Sequence, residues 1–76
     1  MKHDRISINP DVMVGKPCIK GTRIPVDLVL RKLGVGETMD DLLAAYPQLA
    51  ADDIRAALAF AADWMTDSDI LESDEK

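Results

Sequence analysis

The chain has 76 residues, of which 47% are hydrophobic, and it carries a net charge of −5. This length predicts one small domain that buries about 60% of its unfolded surface, so a core shared with a second copy is expected. A single cysteine and a single histidine exclude an internal disulfide and a cysteine-based metal site. The sequence shows no signal peptide and no apolar run long enough for a membrane span. We therefore expect a cytoplasmic protein with no cofactor and no membrane contact.

Charge is divided unevenly along the chain. Residues 1–36 hold seven bases and three acids, a net charge of +4, whereas residues 37–76 hold two bases and eleven acids, a net charge of −9. Such an asymmetry bears on the choice of partners more than the total charge does. The last segment is acidic and poor in apolar residues, so we expect a single domain at residues 1–66 and a disordered tail at residues 67–76.

Short strands are predicted for the first part of the chain. Residues 6–8 alternate apolar and polar side chains, and residues 9–11 break the pattern as a turn. Cys18-Ile19 and residues 22–24 flank Lys20-Gly21, where glycine can take a positive φ, which predicts a tight hairpin. Strands this short are not stable alone, so they need a covering helix or strands from a second subunit.

Three helices are predicted after the strands. The first begins with Pro25 at its first position and ends at Gly34. Thr38 is a good N-cap for the second helix, which is about two turns long and stops before Pro47.

The third helix carries acidic residues in its first turn and a broad apolar surface behind them. Two stripes follow one another around it: Ile54, Leu58, Ala61 and Met65 form one, and Ala57, Phe60 and Trp64 form the other. This surface is wider than a small core needs. Either the helix is nearly surrounded or part of its apolar face is an oligomer contact.

Side chains suited to catalysis do not form a convincing set. Cys18, Thr22 and His3 could supply a nucleophile and a base, but Cys18 is better explained as a small buried hydrophobic residue. The adjacent carboxylates of Asp40-Asp41 and Asp52-Asp53 point in different directions and lie where they stabilise helix dipoles. The sequence therefore predicts a protein that is not an enzyme.

The spacing of the second and third helices is compatible with a helix-turn-helix. The third helix of the chain, however, begins with carboxylates that repel phosphate. The basic first half of the chain is therefore the better candidate for nucleic-acid contact. A solvated basic surface with no ligand is the alternative. The candidate side chains for nucleic-acid or partner binding are Lys16, Lys20, Arg23, Arg31, Lys32 and Arg55.

Residues 15–26, 36–38, 46–49 and 53–58 form a pattern whose most specific part reads Gly-Lys-Pro-Cys-Ile-Lys-Gly-Thr-Arg-Ile. These segments resemble the bacterial domain-of-unknown-function family 433 (DUF433). The resemblance implies a mainly α, three-helix, homeodomain-like fold (winged-helix-like or helix-turn-helix), preceded by short β-strands that pair across a homodimer. It also implies a VapB-like antitoxin that neutralises a PIN-like ribonuclease toxin and binds its own promoter DNA.

Carried onto this chain, the resemblance gives roles to individual positions. Gly15, Pro17, Gly21 and Thr22 match the turn motif, with Thr22 and Arg23 on the returning strand. Ile19, Ile24, Phe60 and Trp64 are expected in the core or in the dimer contact. Two features differ from the family: Ala50 stands where a serine or threonine N-cap is common, and the acidic tail cannot readily place an arginine in a nuclease's carboxylate site.

Two functions remain open from the sequence. The first is an antitoxin-like dimer that binds a toxin and its promoter. The second is a protein–protein interaction module without DNA binding, which the acidic second half favours because it would attract a basic partner surface.

Overall fold

The computed structural model describes residues 3–67, in which two short strands precede three helices. The elements are β1 (Ile6–Ser7), a 3₁₀ turn (Met13–Gly15), β2 (Cys18–Ile19), α1 (Val26–Gly34), α2 (Met39–Ala45) and α3 (Ala51–Asp67). The predicted mainly helical architecture, with three helices after short N-terminal strands, is confirmed. No helix among these residues is long and apolar enough to cross a bilayer.

The two strands form an antiparallel sheet within the chain. Ile6 lies opposite Ile19, and Ser7 lies opposite Cys18. The other edge of β2 is also occupied, because Cys18 bridges to Pro25 and the Ile19 N–H donates to the Ile24 carbonyl at 2.9 Å. Only β1 therefore keeps an edge that could accept a strand from another subunit. Pairing across a homodimer stays a prediction.

The turn after β2 differs from the predicted hairpin. Both the backbone N–H and the hydroxyl of Thr22 donate to the Ile19 carbonyl, at 3.0 and 2.8 Å, and the same hydroxyl oxygen accepts the Ile24 N–H at 3.0 Å. Thr22 and Arg23 therefore lie in the connection, and the prediction that they belong to a returning strand is wrong. Backbone pairing with β2 begins again only at Ile24, because the Thr22 N–H and hydroxyl already occupy the Ile19 carbonyl.

The helix boundaries follow the predicted signals closely. α1 begins one residue after Pro25 and includes Gly34 as its last residue. Thr38 caps α2 in a capping box with Asp41: the Asp41 N–H donates to the Thr38 hydroxyl at 3.1 Å, and the Thr38 N–H donates to the Asp41 carboxylate at 2.9 Å. α2 ends before Pro47, as predicted.

One apolar core joins the strand region to all three helices. It is built from aliphatic side chains and one phenylalanine: Ile19, Ile24, Val26, Val29, Leu42, Leu49, Ile54, Ala57 and Phe60. Three of the four residues expected in the core or the dimer contact are therefore buried. The fourth, Trp64, is 63% exposed.

The end of α3 extends beyond this core. Its 17 residues span about 25 Å, whereas the nine residues of α1 span about 13 Å. Leu58 and Met65 are 44% and 54% exposed, so residues 3–67 do not surround the apolar face of α3. α3 also includes Asp67, where the sequence placed the start of the tail; the rest of the predicted tail lies outside the described residues.

Candidate binding site at the basic turn

The shape of the turn region comes from backbone hydrogen bonds and from residues with a positive φ. Gly15 has a φ of +83° and closes the 3₁₀ turn, and the Pro17 carbonyl accepts the first N–H of α1 from Val26 at 2.9 Å. Gly21 has a φ of +81°, as the third residue of a type II turn requires. Residues 15–26 therefore form a fixed loop that starts α1 and presents one short turn to solvent.

Four of the six candidate cations are paired with carboxylates inside the chain. Lys16 contacts Asp27 at 3.1 Å, and Arg31 approaches the same carboxylate at 4.0 Å. Lys32 contacts Glu37 at 3.5 Å. The fourth cation, Arg55, pairs with Asp52, which lies three residues earlier on α3. Their charges are partly neutralised and less available to an anionic partner.

Lys20 and Arg23 differ from the other four. Both are exposed, and neither side chain has a hydrogen-bond or ion-pair partner among residues 3–67. They flank Gly21 and Thr22, whose backbone is fixed by the bonds to β2, and the Lys20 N–H is itself held by the Arg5 carbonyl at 2.7 Å. We call residues 20–23 the basic turn. It places two unneutralised cations on a rigid backbone.

A shallow cavity lies beside the basic turn. It has a volume of about 430 Å³ and includes Ser7, Asn9, Thr22 and Arg23 in its lining. The sequence grouped Lys20 and Arg23 with Lys16, and with Arg31 and Lys32 if the fold brings them close. The structure distinguishes the basic turn from the other three cations by pairing alone, because Lys16, Arg31 and Lys32 each contact a carboxylate.

The start of α3 is occupied by contacts within the chain. Asp53 is 8% exposed, and its two carboxylate oxygens accept hydrogen bonds from Arg5 and from the Ala50 N–H, each at 2.9 Å. Asp52 is contacted by Arg55 and, at 3.7 Å, by Arg5. Asp53 therefore makes one half of a capping box by accepting the N–H of Ala50, whereas Ala50 has no side-chain oxygen to accept an N–H of the first turn. Arg5 was missed from the sequence because its partner lies 48 positions away.

Cys18 has no catalytic partner in the structure. Its thiol is 2% exposed and lies 3.4 Å from the Lys16 carbonyl. Burial raises the pKa of the thiol, and the nearby Asp27 carboxylate raises it further, so the thiol stays protonated at neutral pH. His3 instead contacts Asp63 on α3 at 2.7 Å. Among residues 3–67, no three histidine, cysteine or acidic side chains come together in a metal-binding group.

An apolar groove lies on another part of the surface. It has a volume of about 440 Å³ and runs between residues 16–17, α1 and the end of α3. Its apolar lining includes Pro17, Leu30, Phe60, Trp64 and Met65. Among residues 3–67, the charged residues of its lining are Lys16 and Asp27, which pair with each other.

Comparisons with known proteins agree with this fold. The family model described as "Protein of unknown function (DUF433)" matches residues 6–61. A crystal structure of a DUF433 member protein from Anabaena variabilis superposes with a TM-score of 0.76 and 37% sequence identity, covering 79% of this chain and 59% of that one.

Two further relatives are similar in sequence. The uncharacterized protein y4eO of Sinorhizobium fredii is 36% identical over 56 residues, which is 74% of this chain and 25% of that protein. An uncharacterized protein of Archaeoglobus fulgidus is 61% identical over 28 residues, which is 37% of this chain and 78% of that protein. This chain spans only a quarter of the length of the Sinorhizobium relative.

Proposed function

Because the chain belongs to the DUF433 family, we propose that it is an antitoxin-like regulatory protein of the VapB-like kind. In this proposal it acts as a homodimer in the bacterial cytoplasm, neutralises a PIN-like ribonuclease toxin and binds its own promoter DNA. The observation that carries the binding part is the basic turn. Two exposed cations without an intrachain partner are free to neutralise phosphate or carboxylate groups of a partner.

The proposed contact is the basic turn and not the start of α3. α2 and α3 have the order of a homeodomain-like helix-turn-helix, which we retain as part of the proposal. Yet the first turn of α3 presents Asp52, and Asp53 beside it is already held by Arg5. Carboxylates at that position repel a phosphate backbone, so insertion of this helix into the major groove is unfavourable.

Titration of the upstream DNA fragment tests the nucleic-acid part. A dimer that places Lys20 and Arg23 of each copy on phosphates makes four contacts, so log Kd should rise with log salt with a slope of about 3.6. Raising the salt from about 50 to about 200 mM should then weaken binding about 150-fold. Replacing both cations (Lys20→Ala with Arg23→Ala) should abolish the binding measured at low salt.

A charge-matched variant controls for loss of net charge. Lys32→Ala with Arg55→Ala removes the same two charges per copy, but those side chains already pair with Glu37 and Asp52. Its DNA affinity should fall much less than that of the basic-turn variant. Equal losses in both variants, or no binding of the native protein at low salt, would contradict a specific role for the basic turn.

The toxin part is tested with a PIN-like ribonuclease, which the proposal predicts to be encoded beside this chain. Cleavage of an RNA substrate should stop when the two proteins are mixed in equal amounts, and they should co-elute as one complex. Unchanged cleavage at an excess of this chain would remove the antitoxin proposal, whatever the DNA titration gives.

A protein–protein module without DNA binding is the second candidate. The apolar groove favours it, because exposed tryptophan and methionine are typical of protein contacts and not of phosphate contacts. The net charge of −9 over residues 37–76 also favours a basic protein partner. A stable complex with the ribonuclease, together with no DNA binding at low salt, would support this function over the first.

A further inference from the structure

The apolar groove lies beside the end of α3, which is the longest element among residues 3–67. Asp53, Ala57, Phe60 and Trp64 follow one another at helical spacing on one stripe of α3. The first three are buried, whereas Trp64, at the end of the stripe, is 63% exposed and lines the groove together with Leu30 of α1. The core-facing stripe of α3 thus continues past the core as an apolar surface.

This surface is able to pair with itself. Trp64 and Met65 both protrude from α3 and line the groove, together with Pro17 and Leu30. A two-fold axis beside the groove would put the α3 end of each copy against the groove of the other. Such self-complementarity is what an isologous dimer contact requires.

Charge favours a second copy as the occupant. Lys16 stands at the groove, in the half of the chain that has a net charge of +4. Residues 68–76 follow α3 directly and hold four acids and one base. The α3 end that would occupy the groove belongs to the half of the chain with a net charge of −9, so the basic half of one copy and the acidic half of the other attract one another.

We propose that the apolar groove between α1 and α3 receives the α3 end of a second copy, with Trp64 as the central contact. This inference rests on the proposed homodimer and assigns its contact to helices instead of to the free edge of β1. Trp64 and Met65 of each copy become buried, whereas residues 20–23 of the basic turn do not line the groove.

Trp64 provides the readout, since it is the only tryptophan in the chain. Sedimentation equilibrium and tryptophan emission are measured together from low micromolar to submillimolar concentration. The mass should rise to that of a dimer, and the emission should move to shorter wavelength over the same range. Trp64→Ala should weaken the dimer at least about 30-fold, as expected for a central interface tryptophan. The dimer should also weaken as salt rises.

Two variants make the result specific. Leu58→Ala removes an exposed apolar side chain of α3 that does not line the groove, and it should leave the dimer intact. Ile8→Asn changes an exposed residue next to β1, and it should also leave the dimer intact. Circular dichroism of Trp64→Ala should match that of the native protein, because Trp64 lies outside the core.

The outcomes separate this inference from the proposed function. A dimer that survives Trp64→Ala but is lost in Ile8→Asn would place the contact at β1 and overturn the groove assignment, while the homodimer itself would stand. If the Trp64 emission shifts only after the ribonuclease is added, the toxin and not a second copy occupies the groove, which would overturn the inference. A native protein that stays monomeric at every concentration would overturn both the groove dimer and the proposed homodimer. Inhibition of the ribonuclease is tested separately, by the RNA-cleavage assay.

Discussion

Asp53 links three parts of the chain through one side chain. It is the single buried charged residue of the part that the structure describes. One carboxylate oxygen accepts a hydrogen bond from Arg5, which lies just before β1. The other accepts a hydrogen bond from the Ala50 N–H, just before α3. A carboxylate at this position also interacts favourably with the positive end of the helix dipole. Asp52, next to it, makes only exposed ion pairs.

These two neighbouring aspartates should therefore differ strongly when replaced. Asp53→Ala removes a charge-assisted bond and a capping acceptor, so it should lower the free energy of unfolding by about 2 kcal/mol. Asp52→Ala should change it by less than about 0.5 kcal/mol, as exposed ion pairs contribute little. Urea unfolding at neutral pH measures both, and Asp53→Asn should fall between them. Equal effects at the two positions would show that the capping and Arg5 contacts do not stabilise the fold.

The basic turn is only partly visible in the sequence. Glycine between two short apolar segments indicates a turn, and the nearby cations are evident. What the sequence does not contain is the neutralisation of Lys16, Arg31, Lys32 and Arg55, because it depends on side-chain distances in the folded chain. Separating Lys20 and Arg23 from the remaining cations therefore required the structure.

At the scale of elements, sequence signals that act within a few residues predict the helix ends. Features that depend on distant parts of the chain are not predicted by such signals. Gly34, Thr38 and Pro47 mark helix ends through bonds within a few residues, and the structure has those ends within one residue of the predictions. The role of Thr22 was missed because a threonine side chain that competes with strand pairing looks, in sequence, like an ordinary strand residue. The exposure of Leu58 and Met65 depends on which sides of α3 the other elements cover, which the pattern of α3 does not encode.

The capping box of α2 gives a prediction at this scale. α2 has only seven residues, so it depends on its cap and on its packing more than on helix propensity. Thr38→Ala should cost about 1 kcal/mol of unfolding free energy. Thr66→Ala is the matched control, since the Thr66 hydroxyl donates only to the Ala62 carbonyl within exposed α3 and its loss should be near neutral. Thermal or urea unfolding compares the two, and a neutral Thr38→Ala would show that α2 is held by packing alone.

For the molecule as a whole, the N-terminal segment joins the strands to α3 at two points. Arg5 contacts Asp53 near the start of α3, and His3 contacts Asp63 ten residues later. The His3 ring also meets Phe60 edge to face, with 5.4 Å between ring centres. The two carboxylates are about 15 Å apart along the helix. A domain of this size has a total stability of only about 4 to 11 kcal/mol, so two such links matter.

Removing both links tests whether they act independently. Arg5→Ala should lower the free energy of unfolding by about 1 kcal/mol, and His3→Ala should lower it by about 1 kcal/mol through the lost contact with Phe60. Because the two sites share no partner and lie far apart, the double variant should lose the sum, about 2 kcal/mol. Lys20→Ala, which removes a cation without an intrachain partner, should leave stability unchanged. A double variant no less stable than Arg5→Ala alone would mean that the N-terminal segment is held to α3 at one point, with His3 contributing nothing to the fold.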